Sequence, residues 1–420
     1  MKRYYLTPLL FIFFVTNITA QAIDKTNHDN VGISSKRLER LTNTLQHHID
    51  KGDISGTVTL VGRHGKIAYL KSQGLLSIEN NIPMQDDAIF RIASMTKLVT
   101  SIAVMILYEE GDFFLTDPVY KYIPEFKDIR VAEFDEDGNI IKTAPAKSPV
   151  TIQNLLTHTS GLIYGSLFGG EYAGLEKLYK TSNIDIDKQD LHSFVTELTK
   201  LPLAFQPGTK WKYSYSIDVL GYLVEVISGK KLNVFCKERI FEPLGMKDTG
   251  FYVPKDKMNR FTTLYNYKDG KLIPVDSPDD TVFDKIPYGC SGGGGIVSTA
   301  PDYAVIGQML LNGGSYNGVQ LLGKQTVELM MTNHLTGIPK ENWFEPYAGF
   351  GLGGAVMDDV GLYGEYASKG YFWWAGIFNT YFFVDRVEDM FAILMVQVSP
   401  FTHVDLMKRF KNLVYQAIVE

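Results

Sequence analysis

Cysteine is nearly missing from this sequence: Cys236 and Cys290 are the only two in 420 residues. Two cysteines cannot build the multi-bridge framework of a small secreted scaffold, and neither has neighbours spaced as metal ligands. They read as buried thiols, with one disulfide between them left open. A surplus of positive charge is missing too. The chain has 41 Lys and Arg against 47 Asp and Glu, a net charge of −6. No basic stripe gathers the cations, which argues against a nucleic-acid binder. Repeats of fixed period are absent, and the N-terminal apolar run is too short to span a membrane comfortably.

What is present suits a globular chain of one large or two interlocked domains: 45% hydrophobic, 21% charged and 13% aromatic residues. The start, Lys2-Arg3 followed by an apolar stretch from Leu6 to Val15 and the small residues around Ala20-Gln21-Ala22, has the pattern of an export signal. Residues 1–22 are therefore expected to be a signal peptide, and the mature protein periplasmic or secreted. No cysteine follows the apolar core, so lipid attachment there is excluded, and no stable membrane span is expected after processing.

Periodicity gives a coarse layout. Ser34 or Ser35 opens a helix with Leu38, Leu41, Leu45 and Ile49 on one face. Gly56–Gly62 and Lys66–Leu70 alternate as a hairpin turning at His64-Gly65. Residues 132–148 are polar and broken by Asp-Gly and Pro, and read as an exposed loop. A mostly helical stretch runs from Thr151 to about residue 250. Asn379–Asp385 and Met390–Val398 read as two strands joined by a tight turn, and a helix from about Val404 closes the chain. The expected class is α/β (α+β). An antiparallel sheet built from both termini (about 23–93 and 285–420) would be flanked by helices, with an all-helical part over about 94–284.

The chemistry centres on Ser94-Met95-Thr96-Lys97. An apolar helical pattern follows as far as Gly111, so Lys97 lies one turn from Ser94 on a shared face. A serine hydroxyl needs a base beside it to act as a nucleophile. A lysine buried against an apolar helix loses charge stabilisation, so its pKa falls and it can take that proton. Placement at a helix start also points backbone N–H groups at an oxyanion. A second S-x-x-K, Ser228-Gly229-Lys230-Lys231, has the glycine of a helix stop and no helix for its lysine to share. Gly289-Cys290-Ser291-Gly292-Gly293, with Asp385 and His403 later in the chain, matches the nucleophile elbow of another hydrolase fold. That elbow needs a preceding strand, and Asp284–Tyr288 with its proline is a poor one. Gly349–Gly354 matches G-x-G-x-x-G but has no helix pattern after it. His158 lacks companions at metal-ligand spacing and reads as a packing or locally bonded residue.

Further motifs keep company with Ser94: Phe90-Arg91-Ile92-Ala93 before it, Leu155-Leu156-Thr157-His158-Thr159-Ser160-Gly161-Leu162, Pro207-Gly208, Tyr213-Ser214, Phe241-Glu242-Pro243-Leu244-Gly245-Met246 and the glycine run after Ser291. In this order, over most of Gly56 to Gln397, the chain resembles the serine β-lactamase and penicillin-binding-protein superfamily. Within it, the class C β-lactamases and the family VIII carboxylesterases are most similar. The resemblance implies a β-lactamase/transpeptidase-like fold and a catalytic set of Ser94, Lys97 and Tyr213. Tyr213 would act as a base when ionised beside the lysine, then as an acid to the leaving group. It implies that Trp374-Ala375-Gly376 stands where lactamases carry Lys-Thr-Gly, resembling the Trp-Gly-Gly of the esterase branch. It further implies an oxyanion hole from the N–H groups of Ser94 and Ile377, and Tyr215 at the position of a substrate-holding asparagine. No metal or organic cofactor is implied, and the only partner expected is a small-molecule acyl substrate. The leading expectation is a serine hydrolase acting on short acyl esters through an acyl-enzyme. The alternatives are a β-lactamase or D,D-peptidase, and an idle binding module of the same fold. Oligomeric state is not legible.

Overall fold

A computed structural model describes residues 22–168, 170–340 and 347–420. The export signal expected over residues 1–22 thus lies almost wholly outside the described residues.

Both termini build one antiparallel sheet. Its eight strands run in the spatial order 348–350, 355–357, 372–376, 380–385, 390–395, 56–63, 66–77 and 82–83. The strand Gly56–Arg63 sits between the C-terminal strand Met390–Met395 (Leu60 opposite Ile393) and its hairpin partner Lys66–Ser77. Every residue of Gly56–Arg63 is buried, as a strand covered on both faces must be. The helices Ser35–Asp50 and Leu406–Tyr415 pack together over one side, and Ala300–Leu311 packs against the central strands. Leu38, Leu41 and Leu45 form the buried stripe of the first helix, as their spacing predicts.

The helix Thr96–Glu109 is buried along nearly its whole length and packs against Ser216–Ser228. A helix apolar all round can only sit inside a large protein, and this one carries the nucleophile between the sheet and the helical part. The core is continuous across both.

The expectation of an all-helical part needs correction. Residues expected as an exposed loop form a hairpin, Arg130–Phe134 paired with Ile140–Pro145. Asp135 caps its turn by accepting from the N–H groups of Asp137 and Asn139, and Ala132 donates to the Leu203 carbonyl at 2.9 Å. Leu203 in turn donates to the Arg130 carbonyl at 2.7 Å. Half-exposed strands of this kind carry little hydrophobic alternation, so periodicity alone reads them as loop. A second hairpin, Leu264–Lys268 with Lys271–Asp276, pairs in parallel with Val398–Ser399. The two cysteines are buried and unbridged.

Candidate active site

Ser94 lies in a single 3-10 turn, Ala93–Met95, immediately before the helix that begins at Thr96. Ala93 occupies the left-handed region at φ 44°, a conformation that costs a residue with a Cβ about 1–3 kcal/mol. Neighbours hold it there. Ile92 donates to the Ile296 carbonyl at 3.1 Å, and its own carbonyl accepts from the Thr380 hydroxyl at 3.1 Å. The strand Phe372–Gly376 presses on the same turn: a Cβ on Gly376 would lie 2.6 Å from the Ile92 oxygen. Only glycine permits that approach, and it sets Ile377, the next residue, beside the nucleophile turn. Trp374 is held in register opposite Phe382, and Ala375 opposite Tyr381.

Lys97 projects back toward Ser94, its Nζ 3.1 Å from Oγ and 2.6 Å from the Gly293 carbonyl. The side chain is buried. Burial pushes its pKa down to about 7, against the opposing pull of the Asp218 carboxylate. Near neutrality about half of the amines are then uncharged and can accept a proton. Tyr213 stands on the other side: its phenol hydrogen-bonds Ser94 and accepts from Trp374 Nε1 at 3.1 Å. Lys97 Nζ lies 4.6 Å from the centre of its ring. Burial drives the Tyr213 pKa above the ordinary phenol value, with the bonds from Ser94 and Trp374 opposing it. The raised Tyr213 pKa keeps its phenol protonated at rest, unlike the phenolate expected from sequence, and Lys97 is the one of the two brought near neutrality.

Ser94, Tyr213, Trp374, Ala375, Gly376 and Ile377 open on one cavity of about 450 Å³. Trp211, Tyr381 and Phe401 supply further apolar wall, and the exposed Lys408 and the buried Lys411 also line it, sharing the Glu365 carboxylate. Tyr215 does not line this cavity. Its ring packs against Tyr164, Tyr179 and Phe194, so the expectation that it faces substrate is corrected. A large aromatic side chain at the first turn of Ser216–Ser228 is drawn into the apolar layer beneath the site.

The competing motifs dissolve. Ser291 Oγ donates to Asp218 at 2.6 Å. Asp385 instead accepts from the Val387 and Glu388 N–H groups, and His403 stacks on Tyr267. The stretch Gly349–Gly354 joins two antiparallel strands, the opposite of a strand-to-helix phosphate turn. His158 is a neutral, buried packing residue, bonded to Ser214 at 3.1 Å and set against the Tyr213 ring at 4.8 Å. Sequence reasoning missed Asp218, Tyr164 and Gly293, which surround Lys97 from behind. One signal for Asp218 existed: it is an acid inside the apolar run Ile217–Leu223, where a carboxylate needs a partner.

The family model described as beta-lactamase matches residues 41–416. An uncharacterized protein of Mycobacterium tuberculosis is 37% identical over 375 residues, covering 86% of this chain and 90% of its own. Esterase EstB of Burkholderia gladioli is 31% identical over 379 residues, covering 86% and 90%. Among solved structures, EstCE1, a hydrolase with promiscuous acyltransferase activity, superposes with a TM-score of 0.73 at 25% identity, covering 91% of this chain and 98% of its own.

Proposed function

The chain belongs to the beta-lactamase family, and from that premise we propose that this serine hydrolase is an exported carboxylesterase acting on small neutral esters. Ser94 Oγ attacks the ester carbonyl while Lys97 takes its proton. The N–H groups of Ser94 and Ile377 receive the oxyanion, and Tyr213 passes a proton to the departing alkoxide. Water then enters by the same route in reverse and releases the acid.

The observation that carries the ester reading is Trp374. A lactamase-type lysine at that position would meet a substrate carboxylate, a charge-assisted contact worth about 1.5–3 kcal/mol. That corresponds to roughly tenfold to a hundredfold in binding. Here a buried indole fills the place, with its N–H committed to Tyr213, and a neutral ester needs no cation there. Size agrees. A cavity of about 450 Å³ lies within the range of roughly 300–1,000 Å³ that takes small-molecule ligands, with room for an aryl ester.

Catalytic efficiency on p-nitrophenyl acetate and butyrate is expected to exceed that on benzylpenicillin at least a hundredfold. Trp374→Lys is expected to narrow the gap. Equal efficiency on the penicillin would overturn the ester assignment and leave a β-lactamase or D,D-peptidase. Export rests on the charged start and short apolar core of residues 1–22. N-terminal sequencing of protein from its native host should begin near Gln21 or Ile23, and soluble cytoplasmic protein beginning at Met1 would refute it.

A further inference from the structure

We infer that Ser291 and Asp218 form a positioning clamp behind the base, fixing the residue Gly293, whose carbonyl holds Lys97. The inference rests on the serine-hydrolase reading and adds residues to it.

The clamp is a closed chain of contacts. Asp218 sits in the first turn of Ser216–Ser228 and is 1% exposed. One of its oxygens, Oδ1, accepts from the Ser291 hydroxyl at 2.6 Å and from the Gly293 N–H at 2.9 Å. The carbonyl of the same Gly293 accepts from Lys97 Nζ at 2.6 Å. A residue with a side chain does not fit at this link: a Cβ on Gly293 would lie 2.5 Å from Asp218 Oδ2 and 2.8 Å from Tyr164 Oη. One residue earlier, Gly292 is pinned from the nucleophile helix, its carbonyl accepting from Thr100 at 2.7 Å. The glycine run after Ser291 is thus neither a flexible turn nor a nucleophile elbow. It is a strap drawn between two helices, with an anion on one side and the amine on the other.

The charges around the pair are accounted for from each packed element. Tyr164 and Tyr213, from the loops facing Lys97, are held protonated by burial, with Asp218 reinforcing this. Tyr215, at the head of the Asp218 helix, is shifted the same way. His158, from the loop beneath Tyr213, is held neutral by burial and by the Lys97 charge. That leaves Lys97 as the group that titrates near neutral pH, with Asp218 the anion that opposes its fall. Burial raises the Asp218 pKa, and Lys97, Ser291 and the Gly293 N–H oppose the rise. A carboxylate held ionised by its bonds favours the protonated amine beside it, so its removal must shift the base toward lower pH.

The test is the acid limb of the pH–rate profile in the full-length enzyme, read two ways: kcat/KM on p-nitrophenyl acetate and the rate of Ser94 labelling by a fluorophosphonate. Asp218→Asn should move that limb down by at least about one pH unit, the smallest shift expected on losing an opposite charge at this range. Its plateau should fall, because a weaker base accepts the serine proton less readily. Ser291→Ala keeps the carboxylate but removes a bond to its charged form. It should shift the limb in the same direction by less, and Ser291→Thr should restore it. An acid limb unmoved in Asp218→Asn overturns the inference, and so does a Ser291→Ala profile that matches wild type if Asp218→Asn fails to fold. Labelling that responds as stated in a protein inert toward esters would instead overturn the esterase reading and leave the clamp standing.

Discussion

Replacing Trp374 by Phe isolates one hydrogen bond at the reacting centre. Phenylalanine keeps an aromatic ring opposite Phe382 in the strand, able to meet Phe350, whose ring is edge-on to Trp374 at 5.1 Å. What it lacks is the Nε1–H that reaches Tyr213 Oη at 3.1 Å. Removing a donor from a buried acceptor costs about 1–3 kcal/mol when the acceptor is left alone. The Tyr213 oxygen retains its bond with Ser94, so the lower part of that range applies. About 1.4 kcal/mol is a tenfold loss in rate. The loss should depend on the leaving group. In the proposed mechanism Tyr213 gives up its proton as the alkoxide departs, and its oxygen gains negative charge that the indole N–H would stabilise in the transition state. A p-nitrophenolate asks little of that acid, whereas a methyl or ethyl ester asks much. In Trp374→Phe, kcat/KM on an alkyl acetate should therefore fall about tenfold and on p-nitrophenyl acetate distinctly less. An equal loss on both esters would show that the indole serves only to shape the pocket. No loss on either would show that Tyr213 needs no partner there.

Two further outcomes follow from the same geometry. Lys97 must be uncharged to accept the Ser94 proton, and burial brings its pKa to about 7; kcat/KM should therefore hold level above that pH and fall tenfold per unit below it. A profile flat down to pH 5 would remove Lys97 as the base. Ser94→Ala should abolish both ester turnover and fluorophosphonate labelling, whereas Ser291→Ala should still carry the label on Ser94. A label that survives Ser94→Ala would move the nucleophile elsewhere.

The sheet and the nucleophile helix were legible because their signals are local and repeated. Leu38, Leu41 and Leu45 mark a stripe, and Thr57 to Val61 alternate in a buried strand. Ser94 and Lys97 were legible for the same reason, since one helical turn fixes their relation. The Arg130–Pro145 hairpin was not, because its half-exposed strands lack alternation and the segment it docks on, at Leu203, lies more than fifty residues away. Tyr215 was misplaced because a position in a motif fixes the backbone, while the side chain's direction is decided by what lies beneath. Here that is Tyr164, Tyr179 and Phe194.

Asp218 belongs to a third kind, visible as an anomaly before it has a meaning. A carboxylate within an apolar helix is costly unless paired, and so is a lysine inside Thr96–Glu109. Each is an oddity in its own segment, and no spacing rule relates residues 121 positions apart (218 − 97). Their solution is shared. Asp218 and Lys97 satisfy each other in part through one residue, Gly293, whose N–H donates to the acid and whose carbonyl accepts from the amine. The run Gly292–Gly295 supplies the lack of side chains that this contact requires. What reads along the chain as a buried base, a stray acid and a glycine tract is one polar unit inside an apolar core. Such a unit must be complete to be tolerated, and this ties the amine's proton affinity to groups that never touch the substrate.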